Sequence, residues 1–273
     1  MAIRQDNFEF IRDSLHKRSA IALNDNKHYL VETRLSILAK QNGMQDVDEF
    51  VDHLKSPGAS VLWHDVVDAM TTNETSFFRD RTPFDVLRDN VFPALLSSDR
   101  VPGPVQVWSA ASASGQEAYS IAMLWQECRN LWPTFNLELL ATDISNKMLA
   151  RGRAGSYSEL EVMRGLGEER LERHFQSDGG RWQISAELMR QVEFRYMNLV
   201  ESWPALPQMD IVFIRNVLVY FDFPTKQKLF AKLHRILKPG GFLFLGGAES
   251  VLTIDDRFER VFSSGGSCYR LKK

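Results

Sequence analysis

Cysteine is scarce: Cys128 and Cys268 are the two in 273 residues, with no CxxC pair and no Cys/His cluster at metal-ligand spacing. That argues against a disulfide framework and against a zinc or other metal site, and both thiols are expected to be reduced. Long apolar runs are also missing. The stretch from Asp210 to Phe221 is interrupted by Arg215 and Asn216, short of the roughly 20 uninterrupted apolar residues of a membrane span. The start, Met1-Ala2-Ile3-Arg4-Gln5-Asp6, has no apolar h-region, so a cytoplasmic protein without membrane insertion is expected. A basic excess is lacking too. The formal net charge of −2 argues against a general nucleic-acid binder, whose phosphate contacts need surplus cations. No internal repeat or low-complexity tract occurs.

What is present is an ordinary globular composition, 44% hydrophobic, 25% charged and 11% aromatic, enough for a sizeable core. The length suits one medium unit and one small one. Residues 1–80 read as an all-helical N-terminal domain. Phe8, Ile11 and Leu15 recur at helical spacing, as do Val31, Leu35 and Leu38. Asp46 and Glu49 have the form of a capping box for a third helix that Pro57-Gly58 ends, and a fourth is expected from about Ser60 to Met70. Residues 81–273 alternate helices with short apolar strands, the pattern of an α/β domain with a parallel sheet. Strands are expected at Val105 to Trp108, Leu137 to Thr142, Val192 to Tyr196, Asp210 to Ile214, Phe242 to Leu245 and Cys268 to Leu271. Lys238-Pro239-Gly240-Gly241 reads as a tight turn. The polar segment of about 157–192, with Gly179-Gly180 between short strand candidates, is too long for a crossover loop and reads as an inserted subdomain.

Three places carry chemistry. The segment VQVWSAASASGQE, Val105 to Glu117, is a strand entering a run of small residues and then a helix. Small residues there let a ligand approach the backbone, though such turns also serve close packing, and GxGxxG is absent. Asp143 ends the second strand, 28 positions after Gly115. It is placed to accept hydrogen bonds from ribose hydroxyls, or to cap the next helix. Arg215 and Asn216 close the fourth strand, facing either a ligand crevice or a structural ion pair, because burying them unpaired would cost several kcal/mol. Residues 1–42 carry seven basic and five acidic side chains. Lys27 and Arg34, seven apart, share a helical face and are candidates for docking an acidic partner, or simply a solvated face.

The motifs MTTNETSFFRD (Met70 to Asp80), WSAASASGQEAYSIAM (Trp108 to Met123), ATDIS (Ala141 to Ser145) and IRNVLVYFD (Ile214 to Asp222) stand in the order and spacing of the CheR-type chemoreceptor glutamate methyltransferases, which the chain resembles over nearly its whole length. KPGGFLFLG, Lys238 to Gly246, is similar to the wider class I methyltransferase pattern. The resemblance implies a class I, Rossmann-like methyltransferase sheet of seven strands, a small inserted β-subdomain and a helical N-terminal domain. It implies S-adenosyl-L-methionine as cofactor, S-adenosyl-L-homocysteine as product, and methyl-accepting chemotaxis receptors as partners of a monomeric enzyme. Cofactor contacts carry over to Asn73, Thr75, Arg79, Glu117, Asp143, Asn198, Leu199, Arg215 and Asn216. Arg79 and Tyr220 carry over as the pair beside the transferred methyl, although Tyr220 also suits a core position between Leu218 and Phe221. Ala113-Ser114 and Ala248 depart from the usual Ser-Thr and His. The stretch His174 to Ile184 is several residues shorter than the loop with which some members grip a receptor's C-terminal pentapeptide, which points to the pentapeptide-independent kind.

Overall fold

The computed structural model describes residues 3–96, 103–263 and 266–272. Four α-helices build the N-terminal unit: α1 (Gln5–Ser19), α2 (His28–Gln41), α3 (Val47–Leu54) and α4 (Leu62–Met70). Their apolar stripes close a separate core around Phe8, Ile11, Leu15, Phe50 and Val66, all fully buried. Asp46 caps α3 by accepting from the Glu49 N–H. The return bond of the expected box lands one residue early, with the Glu49 carboxylate accepting from Gln45 N–H at 2.7 Å. A 3-10 turn, Pro57–Val61, fills the space before α4, which starts at Leu62 rather than Ser60.

The second unit contains ten strands among the described residues, β1 (Pro104–Ala110), β2 (Asn136–Asp143), β3 (Ser156–Tyr157), β4 (Phe175–Asp178), β5 (Arg181–Ile184), β6 (Val192–Tyr196), β7 (Met209–Ile214), β8 (Leu237–Leu245), β9 (Phe258–Ser263) and β10 (Gly266–Leu271). Seven form one sheet in the order β6-β2-β1-β7-β8-β10-β9. All are parallel except β10, which runs antiparallel to both neighbours. This is the expected seven-stranded class I arrangement. From β1 the chain moves outward to β2 and β6 on one side and then to β7 and β8 on the other. The switch point therefore lies between β1 and β7, and a ligand crevice belongs at their carboxyl ends. Each face has its own core, one around Phe213, Phe244 and Tyr119, the other around Trp108, Phe230 and Leu233.

Two expectations change here. Lys238 to Gly241 is not a reversal between helix and strand. The helix Phe223–Ile236 passes straight into β8, and the four residues form a bulge, because Met209 pairs with Leu237 while Ile211 pairs with Phe242. A side chain at Gly241 would put its Cβ 2.9 Å from the Lys238 carbonyl. The seventh strand of the sheet, β9, lies where the sequence reading places none.

The inserted subdomain is a small antiparallel sheet, β3-β5-β4. Gly179 and Gly180, at φ 53° and 82°, make the two-residue hairpin turn between β4 and β5. Fully buried Tyr157 ties this subdomain to the first strand's turn by donating to the Ser114 carbonyl at 2.8 Å. The helical unit is tied to the sheet as well. His16 Nε2 lies 3.1 Å from Asp222 Oδ2, the Ala22 N–H donates to the Tyr220 carbonyl, and Asn198 Nδ2 donates to the Arg18 carbonyl at 2.6 Å.

Candidate active site

A cleft of about 1010 Å³, open to solvent, lies over the carboxyl ends of β1, β2 and β7, with Ser19, Ile21 and the segment 70–75 from the helical side. All ten residues expected at cofactor or methyl line it: Asn73, Thr75, Arg79, Glu117, Asp143, Asn198, Leu199, Arg215, Asn216 and Tyr220.

The turn after β1 forms one wall. Ala111 and Ala113 adopt φ of 56° and 47°, and Gly115 reaches 91° just before the helix Gln116–Cys128. Left-handed alanines are strained, and the bonds across the turn hold them. Asp143 Oδ2 accepts from the Ala113 N–H at 2.8 Å, and its Oδ1 accepts from the Ser145 N–H at 2.8 Å. The capping alternative for Asp143 falls, because Ser145 caps the helix Asn146–Ala154 through the Met148 N–H. Asp143 instead joins the two loops, and its oxygens keep lone pairs beyond the two bonds described. Burial raises its carboxyl above the usual aspartate range, against the downward pull of the Ser145 and Ala113 N–H groups.

Arg215 occupies the opposite wall, its side chain 2% exposed. It donates to Glu117 Oε2 at 2.9 Å, to Asp80 Oδ2 at 2.6 Å and to the Arg79 carbonyl at 3.1 Å. Glu117 is held from the other side by the Ser109 hydroxyl at 2.8 Å. Both readings of Arg215 therefore meet, since it forms an ion pair and also faces the cleft. Its Nε has no partner among the described residues, nor does the Ser112 hydroxyl in the facing turn. Unsatisfied buried polar atoms are uncommon, and these two lie in the cleft lining.

The segment 78–81 delivers Arg79 and Asp80 to the same wall through a run of positive φ, 47° at Phe78, 68° at Asp80 and 49° at Arg81. Arg79 donates to the Glu74 carbonyl at 2.8 Å, which turns the extended motif back over the cleft. Asn73 and Thr75 make no side-chain hydrogen bond among the described residues and line the opening. Asn198 is less free than expected. Its amide bonds Arg18 and Glu201 and accepts from the Val200 N–H. Tyr220, half-buried, ends a 3-10 turn at the mouth and packs on the Phe221 side of the core.

The shared helical face expected of the docking pair is absent. Lys27 lies in the 3-10 turn Asp25–Lys27 and not in α2, so the seven-residue helical spacing does not align it with Arg34. Arg34 itself donates to the carbonyls of Ala69, Met70 and Thr71, closing the last turn of α4. It supports the segment leading to the cleft. Sequence reasoning missed Ser112, Asp80 and Glu249. Asp80 follows Arg79 directly in the motif, whereas Glu249 acts mainly on backbone at Asn216 and Leu218, 33 and 31 residues away, and leaves no local signal.

Two family models match the chain. One, described as the CheR methyltransferase all-alpha domain, covers residues 6–71, and the other, the CheR methyltransferase SAM binding domain, covers residues 73–266. Similar proteins include chemotaxis protein methyltransferase Cher2 of Pseudomonas putida, 42% identical over 97% of this chain and 98% of that protein. Chemotaxis protein methyltransferase 1 of Pseudomonas aeruginosa is 41% identical over the full length of both. A protein of the same name from Vibrio cholerae is 41% identical over 94% of each.

Proposed function

The chain belongs to the CheR family of S-adenosylmethionine-dependent methyltransferases, and from that premise we propose that its acceptors are glutamate side chains on the cytoplasmic helices of methyl-accepting chemotaxis receptors. The observation that carries this reading is the convergence of all ten expected residues on one cleft between the helical unit and the switch point of the sheet.

In this reading Asp143 takes the ribose hydroxyls, for which it has acceptor capacity left after Ala113 and Ser145. The orphaned Ser112 hydroxyl and Arg215 Nε fit polar groups of the same cofactor. Asn73, Thr75, Asn198, Leu199 and Asn216 complete its enclosure, with Glu117 holding Arg215 in place. When bound, the cofactor supplies a methyl on a sulfonium whose departure leaves a neutral thioether. A glutamate with an ordinary pKa of about 4.3 is ionised roughly 500 to 1 at pH 7, so no general base is needed. Arg79 and Tyr220 at the mouth then orient the acceptor carboxylate. Positioning of this kind can supply about 7 to 11 kcal/mol in favourable cases.

The enzyme works as a monomer in the cytoplasm, where the receptor's acidic helices lie. The hairpin from His174 to Ile184 turns through two glycines and leaves little backbone to clamp a peptide, which supports docking through the N-terminal helices without a tether. Labelled S-adenosylmethionine and receptor cytoplasmic fragments, each with and without its C-terminal pentapeptide, test the whole reading. Base-labile label in the fragments at equal rates is expected. Label absent from every fragment would defeat the acceptor assignment, and a rate that collapses without the pentapeptide would defeat tether independence.

A further inference from the structure

Glu249 follows β8 and does not line the cleft, yet three backbone N–H groups converge on its carboxylate. Oε2 accepts from Asn216 at 2.8 Å and from Gly246 at 2.7 Å, and Oε1 accepts from Leu218 at 2.7 Å. Two of these donors belong to the loop 216–220 after β7, and the third is the end of β8. A carboxylate seated on convergent N–H groups is a strong, charge-assisted clamp. It also accounts for the local backbone. Asn216 stands at φ 59°, a conformation that needs outside support, and its N–H is one of the three donors. The packing is tight enough to require glycine at position 246, where a Cβ would lie 2.8 Å from Glu249 Oε2 and 2.9 Å from the Asn216 nitrogen.

The clamped loop carries Asn216 and Tyr220, both in the cleft wall. Between Val217 and Phe221 the turn has bonds of its own, Tyr220 N–H to Val217 and Phe221 N–H to Leu218. Its far end is held by the Ala22 N–H at the Tyr220 carbonyl and by buried Leu218 and Phe221, and its leading end, Asn216 to Leu218, is held by Glu249. We propose that Glu249 is a positioning residue for methyl transfer, fixing the loop that presents Tyr220 to the reacting groups. This inference rests on the reading of Tyr220 given above.

The test uses Glu249→Gln, which keeps the volume but sets an amide N–H against a backbone N–H, together with Glu249→Asp, Tyr220→Phe and the Gln/Phe double variant. Turnover on receptor fragment and calorimetric affinity for S-adenosylmethionine are measured on the same preparations. In Glu249→Gln, kcat is expected to fall about tenfold to a hundredfold, the scale of a misplacement near 1 Å. Cofactor affinity should change by no more than about fivefold, because Asn216 is one contact among several and Asp143 and its loops are untouched. The double variant should be no slower than the slower single one, and Glu249→Asp should recover part of the rate. Turnover and affinity falling together would assign Glu249 a merely structural role and overturn the inference, as would wild-type turnover in Glu249→Gln. Wild-type turnover in Tyr220→Phe would instead bring down the reading of Tyr220 beneath it, and the inference with it.

Discussion

Strand β7 buries two opposite charges five residues apart, Asp210 near its amino end and Arg215 just past its carboxyl end, with side chains 3% and 2% exposed. Their surroundings differ in kind. Asp210 is closed on itself, accepting from the Gln106 N–H at 2.9 Å and pairing with Lys238 at 2.8 Å. Arg215 pairs with Glu117 and Asp80 but keeps an Nε without a partner among the described residues and faces a cleft. Burial of charge alone therefore does not mark a site. The mark is a buried charge whose bonding is incomplete beside open space, with strained backbone around it, here at Ala111, Ala113, Asp80 and Asn216.

Substitutions at the two ends should separate these roles. Arg215→Met is expected to have the largest effect, because it leaves Glu117 buried without its cation. Breaking a buried pair from one side costs about 3 to 5 kcal/mol, and denaturant unfolding should show it alongside loss of calorimetric cofactor binding. Unaltered cofactor affinity in the folded fraction would reduce Arg215 to a structural ion pair. Asp210→Asn should cost about 1 to 2 kcal/mol, less than a fully buried charged hydrogen bond because Lys238 is partly exposed. Its folded molecules should turn over at the wild-type rate, and a lowered kcat would mean that the two ends of the strand are not independent.

The smallest effects concern the helical unit. Arg34→Ala is expected to lower stability by about 1 kcal/mol through lost bonds to the last carbonyls of α4, with an unchanged KM for receptor. Lys27→Ala should do the reverse, with stability within about 0.5 kcal/mol of wild type and a raised receptor KM that salt reduces. Equal receptor KM in wild type and Lys27→Ala would remove Lys27 from docking.

The same contrast explains what the sequence could and could not reveal. Five parallel strands were legible because apolar runs such as Ile211 to Ile214 sit in a sheet covered on both faces. Edge strand β9 was not, since Phe258-Glu259-Arg260-Val261-Phe262-Ser263 buries a single side chain fully and shows no alternation. The cleft residues were legible through a family resemblance rather than through periodicity, and local spacing left Asp143 undecided between cap and ligand contact. Ser145 takes the cap, and Asp143 is tied instead to the Ala113 N–H, 30 residues away in sequence. The shared helical face expected of Lys27 and Arg34 failed for a local reason, a 3-10 turn where continuous helix was assumed. Glu249 was invisible because its partners are main-chain donors, which carry no residue type.

Asp143 also fixes a dependence on pH. Its raised carboxyl means that the fold holds the proton more tightly than the unfolded chain does. Its contribution to stability is therefore largest below the usual aspartate range and declines as pH rises through the raised value. Ribose hydroxyls bond the anion more strongly than the neutral acid, so cofactor affinity should fall as pH drops through that same interval, and Asp143→Asn should abolish the change. Calorimetric titration of S-adenosylmethionine into Asp143→Ala and Asp210→Asn, beside the wild type at pH 7, tests the central claim most directly. The account predicts a loss of about 1.5 to 3 kcal/mol in Asp143→Ala, the scale of hydrogen bonds to a charged group, and no loss in Asp210→Asn. Wild-type affinity in Asp143→Ala, or equal losses in both variants, would contradict it.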